Sequence, residues 1–322
     1  MLTQSQVEAA LRGKKLVFLV GAPRSGTTWL QLLLTRSPSV ATAQETHLFD
    51  NFMRSMLEQW KHDRDTGART GLTLLLSEEE FRSLLRGVCA VVFDKIAQSK
   101  PSATVVLEKT PNHVYCWREI LDLWPDAHFI HIIRDPRSVV ASLRVASKSW
   151  GRDWASSRIP QNCERWISDV TNGRQMRSAT RNYQEVTFEE LLSDGPEVLM
   201  RLFAGLGVES SLDQCRQYVD ECKLENLKAG KLENAPFNVA KMHPESFRIG
   251  TTDSWRTELS KWEIALVERL AGPLMSELGF APANGSKAMS VFVDAGWNTF
   301  VVARAAKRWL RQFAERRGFV RI

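Results

Sequence analysis

Residues 16–20 (LVFLV) form a continuous apolar run with lysines before it and Gly-Ala-Pro after it, the pattern of a strand buried on both faces. After a short loop, residues 28–35 (TWLQLLLT) read as a helix that stops at Ser37-Pro38, so the chain opens strand, glycine-containing loop, helix. The same alternation returns at 103–107 (ATVVL) and at 128–133 (HFIHII), the latter followed by Arg134-Asp135-Pro136 and a helical run over 137–145. Short apolar strands alternating with helices predict an α/β fold, a central parallel sheet flanked by helices. Residues 51–100 are charge-rich and helical without a strand signal, which predicts a helical insertion or cap beside the sheet. Residues 160–283 are again mainly helical, with one further strand at 185–188 (EVTF). Nothing linker-like interrupts the chain before 281–286, so residues 1–283 are expected to form one domain with helical additions.

Residues 284–322 differ in character. Trp297, Val301, Ala305, Trp309 and Phe313 recur every fourth position, while Arg304, Lys307, Arg308, Arg311, Arg316 and Arg317 take much of the remaining circumference. The pattern predicts a linker and then a basic amphipathic C-terminal helix. Its apolar face suits packing on the protein's own body, an oligomer contact or an anionic membrane surface, and these alternatives stay open.

A chain of 322 residues, 43% hydrophobic and 25% charged, is long enough to bury a full core and has no apolar run that would cross a bilayer. That excludes a disordered tail and a fibrous repeat. The net charge of +6 suits a polyanionic ligand without requiring one. Five cysteines without a Cys-x-x-Cys pair read as reduced, mostly buried thiols. With no export signal visible, a cytoplasmic location is expected, peripheral at a membrane if the tail binds lipid. The histidines show no ligand spacing with cysteine or carboxylate, so no metal is expected.

The segment GAPRSGTT, Gly21 to Thr28, has the Gly-x4-Gly spacing of a phosphate loop between a buried strand and a helix N-terminus. Backbone N–H groups converge on an anion at such a place, and the helix dipole adds to the attraction. The lysine that follows the second glycine in nucleoside-triphosphate loops is Thr27 here, and the loop cation is Arg24. Kinases and ATPases use that lysine with Mg²⁺ to neutralise β- and γ-phosphates, which argues against a phosphoryl-transferring kinase.

PRSGTTWL resembles the 5'-phosphosulfate loop of sulfotransferases that use 3'-phosphoadenosine 5'-phosphosulfate (PAPS). The resemblance implies a P-loop nucleoside-triphosphate-hydrolase-like fold, with Arg24 and the amides of Ser25, Gly26, Thr27 and Thr28 holding the phosphosulfate. Arg134-Asp135-Pro136-Arg137 with Ser142 resembles the family's 3'-phosphate segment, which assigns Arg134 and Ser142 to that phosphate. Arg248-Ile249-Gly250 with Trp255 resembles its Arg-x-Gly segment, which closes over the nucleotide and assigns Arg248 and Gly250 to it. Pro136 at a first helical position independently sets Arg134 at the carboxyl end of a strand, where open parallel sheets bind ligands. Arg137, Arg144 and Lys148 read as solvated helix charges.

Sulfuryl transfer to an alcohol needs a base, and Glu45 and His47, after the first helix, are the candidates. Glu-x-His-x-Phe-Asp is similar to the active-site segment of heparan-type glycan sulfotransferases, which implies Glu45 as base with His47 and Asp50 on the acceptor side. Glu108-Lys109-Thr110-Pro111 is similar to a segment of the same enzymes whose lysine touches the sulfuryl group, and an ammonium there stabilises charge growing on the leaving phosphate. Phenol and steroid enzymes have Lys-Thr-His, whose histidine is Pro111 here, so the base role moves toward Glu45. Trp150, Trp154 and Trp166 are either core anchors or stacking faces for a sugar or planar acceptor. The expected function is PAPS-dependent, metal-free O-sulfation of a hydroxyl on a carbohydrate or glycolipid. A natural-product or phenolic acceptor is the alternative, and a P-loop kinase or a non-catalytic anion binder the rivals. No nucleic-acid partner is expected.

Overall fold

The computed structural model describes residues 11–232, 235–237, 243 and 251–283. Arg248, Gly250 and the predicted C-terminal helix lie outside the described residues. Five strands form one sheet in the order β2-β3-β1-β4-β5: β1 Lys15–Gly21, β2 Val40–Thr42, β3 Val105–Lys109, β4 His128–Ile133 and β5 Tyr183–Thr187. All neighbours run parallel, and Val17 of β1 faces Leu107 on one side and His128 on the other. From β1 the chain goes first to the edge strand β2, returns to β3 between the two, and then crosses to β4 and β5 on the other side of β1. The strand order therefore reverses beside β1, the place where open α/β sheets hold ligands at their carboxyl ends.

Both faces are covered, which explains the unbroken apolar runs. Phe18, Val20, Val106 and Phe129 point into one layer and Val17, Leu19, Val105 and Ile130 into the other. The second layer is closed by helix α1 (Thr27–Leu34) and by helix Gly195–Leu206. The first includes α2 (Arg54–Thr66) and α3 (Glu78–Gln98), the latter started by a Ser77/Glu80 capping box. Leu85, Cys89, Phe93, Ile96 and Ala97 of α3 join the core against Phe18 and Val106, so α3 is a flanking layer of the sheet rather than part of a cap beside it. Helix α4 (Pro136–Ala146) starts with Pro136 at its first turn and Asp135 as N-cap, whose carboxylate accepts from the Arg137 amide at 2.8 Å. It is buried beneath α5 (Ile159–Ala179) and α6 (Lys261–Glu277).

The ends of β3 and β5 depart from the pattern, and one strand is new. β3 runs two residues beyond the apolar stretch, because Glu108 and Lys109 continue the ladder with their side chains paired inside the protein. β5 ends at Thr187, whose hydroxyl caps the next helix by accepting from the Glu190 amide at 3.1 Å, so Phe188 is helical. The edge strand β2 was not foreseen, since three residues, Val-Ala-Thr, carry no periodicity of their own.

β1 ends on Gly21, at φ 153°, and a Cβ there would lie 2.3 Å from the Ile132 carbonyl oxygen of β4. Backbone cannot move aside as a side chain can. Gly21→Ala is expected to destabilise the protein by about 3 kcal/mol or more, read as a lowered midpoint in chemical denaturation.

Candidate active site

The loop after β1 turns on left-handed backbone at Arg24, φ 74°, and at Gly26, φ 95°, the N-cap of α1. A Cβ on Gly26 would meet the Phe188 ring at 2.6 Å, so a glycine is required for closeness as well as for angle. The Ser25 amide donates to the Ala22 carbonyl at 3.1 Å and closes the turn. The amides that open on the loop's hollow are those of the first turn of α1, which have no acceptor within their own helix. The Ser25 hydroxyl is fully buried without a hydrogen-bond partner among the described residues.

Two arginines meet at this hollow. Arg24 Nε donates to Ser142 Oγ at 2.9 Å, and its guanidinium lies 5.3 Å from the centre of the Trp150 ring. Arg134, one residue past β4, sits over the Phe188 ring with its guanidinium carbon 3.9 Å from the ring centre and donates from Nη1 to the Arg24 carbonyl at 3.3 Å. Its own carbonyl accepts from the buried Trp166 indole at 2.9 Å, which fixes the strand end. Asp135 does not pair with Arg134. It holds Arg137 through Oδ2 to Nη2 at 2.6 Å, and Glu268 takes Arg137 Nη1 at 2.6 Å. Arg137 is thus a buried structural ion pair and not a solvated charge; Arg144 likewise pairs with Glu263 at 2.7 Å.

The second half of the site hangs on the end of β3. Lys109, 4% exposed, donates to Glu45 Oε1 at 2.5 Å and lies 3.4 Å from Thr28 Oγ1 on α1. His47, at φ 49°, presents Nε2 to Glu45 Oε2 at 3.5 Å and Nδ1 to Asp50 Oδ2 at 2.9 Å. Beneath them Glu108 is fully enclosed. Its Oε1 accepts from Thr46 Oγ1 at 2.8 Å, from the Thr46 amide at 3.3 Å and from Thr110 Oγ1 at 2.7 Å, while Thr110 Oγ1 accepts the His47 amide at 3.3 Å. Its Oε2 pairs with His113 Nδ1 at 2.8 Å. The far nitrogen of His113 lies 3.4 Å from Asp50 Oδ1, with the Phe49 amide 3.2 Å away.

Burial works against charge on His113, but Glu108 and Asp50 outweigh it and push the imidazole up to about 9. Burial likewise opposes ionisation of Glu108 and of Asp50, yet the histidines hold both carboxyls below the ordinary carboxylate range. Glu108 and Thr110 were not foreseen as site residues, and His113 was weighed only as a substitute for Glu45. A lone acidic residue at a strand end and a histidine in a 3₁₀ turn carry no spacing that marks them, although Glu108 opens the Glu-Lys-Thr-Pro segment.

A cleft of about 1170 Å³ is lined by both halves, Arg24, Thr27, Thr28, Arg134 and Ser142 on one side and Glu45 and His47 on the other. Trp150 and Trp154 form one wall with their rings 5.0 Å apart, whereas Trp166 is a core anchor. Arg165 lines the same end, donating to the Trp154 carbonyl at 2.6 Å and to Asn112 Oδ1 at 3.2 Å. Among the described residues there is no cluster of metal-ligating side chains, and no helix is long and apolar enough to cross a membrane. All five cysteines are buried and free.

Residues 17–212 match the profile of the Sulfotransferase family. Nodulation protein NoeE of Sinorhizobium fredii is 24% identical over 87% of this chain and 69% of its own. A putative protein-tyrosine sulfotransferase of Caenorhabditis briggsae is 24% identical over 89% of this chain and 96% of its own. Among solved structures, mouse sulfotransferase SULT7A1 complexed with PAP superposes with a TM-score of 0.54 at 13% identity, covering 88% of this chain and 92% of that one. At that identity the likeness is one of fold.

Proposed function

The chain belongs to the sulfotransferase family and is a sulfuryl-transferring enzyme, and on that premise we propose that it moves the sulfuryl group of PAPS to a hydroxyl on a carbohydrate or glycolipid acceptor. The observation that carries the reading is the meeting, in one cleft, of a helix N-terminus and two arginines with Glu45, whose carboxylate is held by the buried Lys109. The donor set fits a nucleotide phosphorylated at two places: α1 amides, Arg24 and Thr28 toward the 5' end, Arg134 and Ser142 toward the 3'-phosphate. Glu45 takes the proton of the acceptor hydroxyl as its oxygen bonds to sulfur. The bond from sulfur to the 5'-phosphate oxygen breaks, and the charge left there is met by Lys109 and Arg24. His47 orients the acceptor beside Glu45, and the Trp150–Trp154 wall supports a sugar face.

A phenolic hydroxyl is the second reading, favoured by the putative protein-tyrosine sulfotransferase to which this chain is similar over most of both lengths. Incubation with ³⁵S-labelled PAPS and a panel of oligosaccharides, glycolipids, tyrosyl peptides and small phenols separates the two. Label on the phenolic members alone removes the carbohydrate reading, and Mg²⁺-dependent transfer from ATP in place of PAPS removes both.

The nucleotide assignment has its own check. PAP is expected to bind at least about tenfold tighter than its analogue lacking the 3'-phosphate, and Arg134→Ala is expected to abolish that preference, measured by calorimetric titration. Equal affinities in the unsubstituted protein take Arg134 and Ser142 out of the site.

A further inference from the structure

We propose that the buried Glu108–His113 pair is a positioning device for the reaction: it pins the loop that carries Glu45 and, through Asp50, fixes the ring of His47. The inference rests on Glu45 being the base. Four groups alternate from the cleft inward behind Glu45, an imidazole, a carboxylate, an imidazole and a carboxylate: His47, Asp50, His113 and Glu108, joined at 2.9, 3.4 and 2.8 Å. The chain then closes on itself, because Glu108 precedes Lys109 in β3 and Lys109 returns to Glu45 at 2.5 Å.

The backbone needs such a restraint. His47 sits at φ 49°, a conformation that non-glycine residues adopt at a cost and hold when their surroundings impose it. The consecutive amides of Thr46 and His47 are tied to the same hub, Thr46 directly to Glu108 and His47 through Thr110. At the ring, Asp50 Oδ2 accepts from His47 Nδ1, which leaves Nε2 as the nitrogen facing Glu45. His113 supplies the counter-charge that Asp50 needs. The groups that face His113 are Glu108 from β3, Asp50 and the Phe49 amide from the turn after His47, and the rings of Phe18 and Phe49. While Nε2 is protonated it can donate to Asp50. Once deprotonated it accepts from Phe49, and Asp50 loses that donor.

The test compares His113→Gln with Asp50→Asn, which cuts the link to His47 while leaving Glu108 and His113 paired. Both variants are expected to lose about 10–100-fold in kcat, with Kd for PAP within about twofold of the unsubstituted protein. The kcat profile of the unsubstituted protein is expected to fall on its basic side near pH 9, and His113→Gln to lack that limb. Nitrogen-15 histidine spectra should show His47 protonated at Nδ1 in the unsubstituted protein and a tautomer mixture in Asp50→Asn. Full kcat in Asp50→Asn overturns the proposal, as does parallel loss of kcat, PAP affinity and thermal midpoint in both variants. If His113→Gln does not fold, Asp50→Asn decides alone. Normal turnover of Glu45→Gln, by contrast, strikes the base assignment itself.

Discussion

Glu45→Gln is expected to lower kcat by about 10²–10⁴-fold while Kd for PAP changes less than about twofold. The substitution keeps the side chain's length and leaves an oxygen for Lys109 to donate to, so the pair at the end of β3 keeps its shape. What it removes is a group able to accept a proton from the acceptor hydroxyl. The carboxylate is about one-third exposed but its partner Lys109 is buried, so the substitution also takes the counter-charge from a buried ammonium, and a modestly lowered thermal midpoint is expected beside the far larger loss of turnover. Single-turnover rates with labelled PAPS, read beside calorimetric PAP binding, check the split. Unchanged turnover transfers the base role to His47, since His113 is fully buried and does not line the cleft.

Lys109→Met is expected to lower kcat by about 10²–10³-fold, the scale of removing one preorganised donor from a developing oxyanion. Methionine fills nearly the same volume without the ammonium, and Glu45, which loses its partner, is exposed enough to be hydrated. Activity should therefore fall far more than stability. Because the two side chains are in contact, the double variant should lose less than the product of the single losses. Multiplicative losses with a lowered thermal midpoint would instead make Lys109 a structural lysine.

The sheet was legible because burial on both faces leaves apolar runs that no solvent-facing strand would have, as in LVFLV and HFIHII. The turn after β1 was legible as well, since its glycines are tied to particular backbone positions, and so was the start of α4, which Pro136 sets two residues past Arg134. What escaped the sequence are charged residues that the fold buries in pairs. Arg137 reads as a surface charge until Glu268, 131 residues away, is beside it. Glu108 ends an apolar run by its charge, yet continues the strand because Thr46, Thr110 and His113 satisfy it. Pairings of this kind depend on tertiary neighbours and leave no period in the chain.

The hydrogen bond from Arg24 to Ser142 joins the two ends assigned to the nucleotide, and Arg134 reinforces it through the Arg24 carbonyl. Ligands that engage both ends gain the advantage of a chelate, and those engaging one must also break or strain the tie between them. Adenosine 5'-phosphosulfate and adenosine 3',5'-bisphosphate then differ in more than a missing group. The energetic contributions of the two phosphates, measured one at a time, should fall short of their joint effect, so a nucleotide carrying only one of them is expected to bind far more weakly than one carrying both.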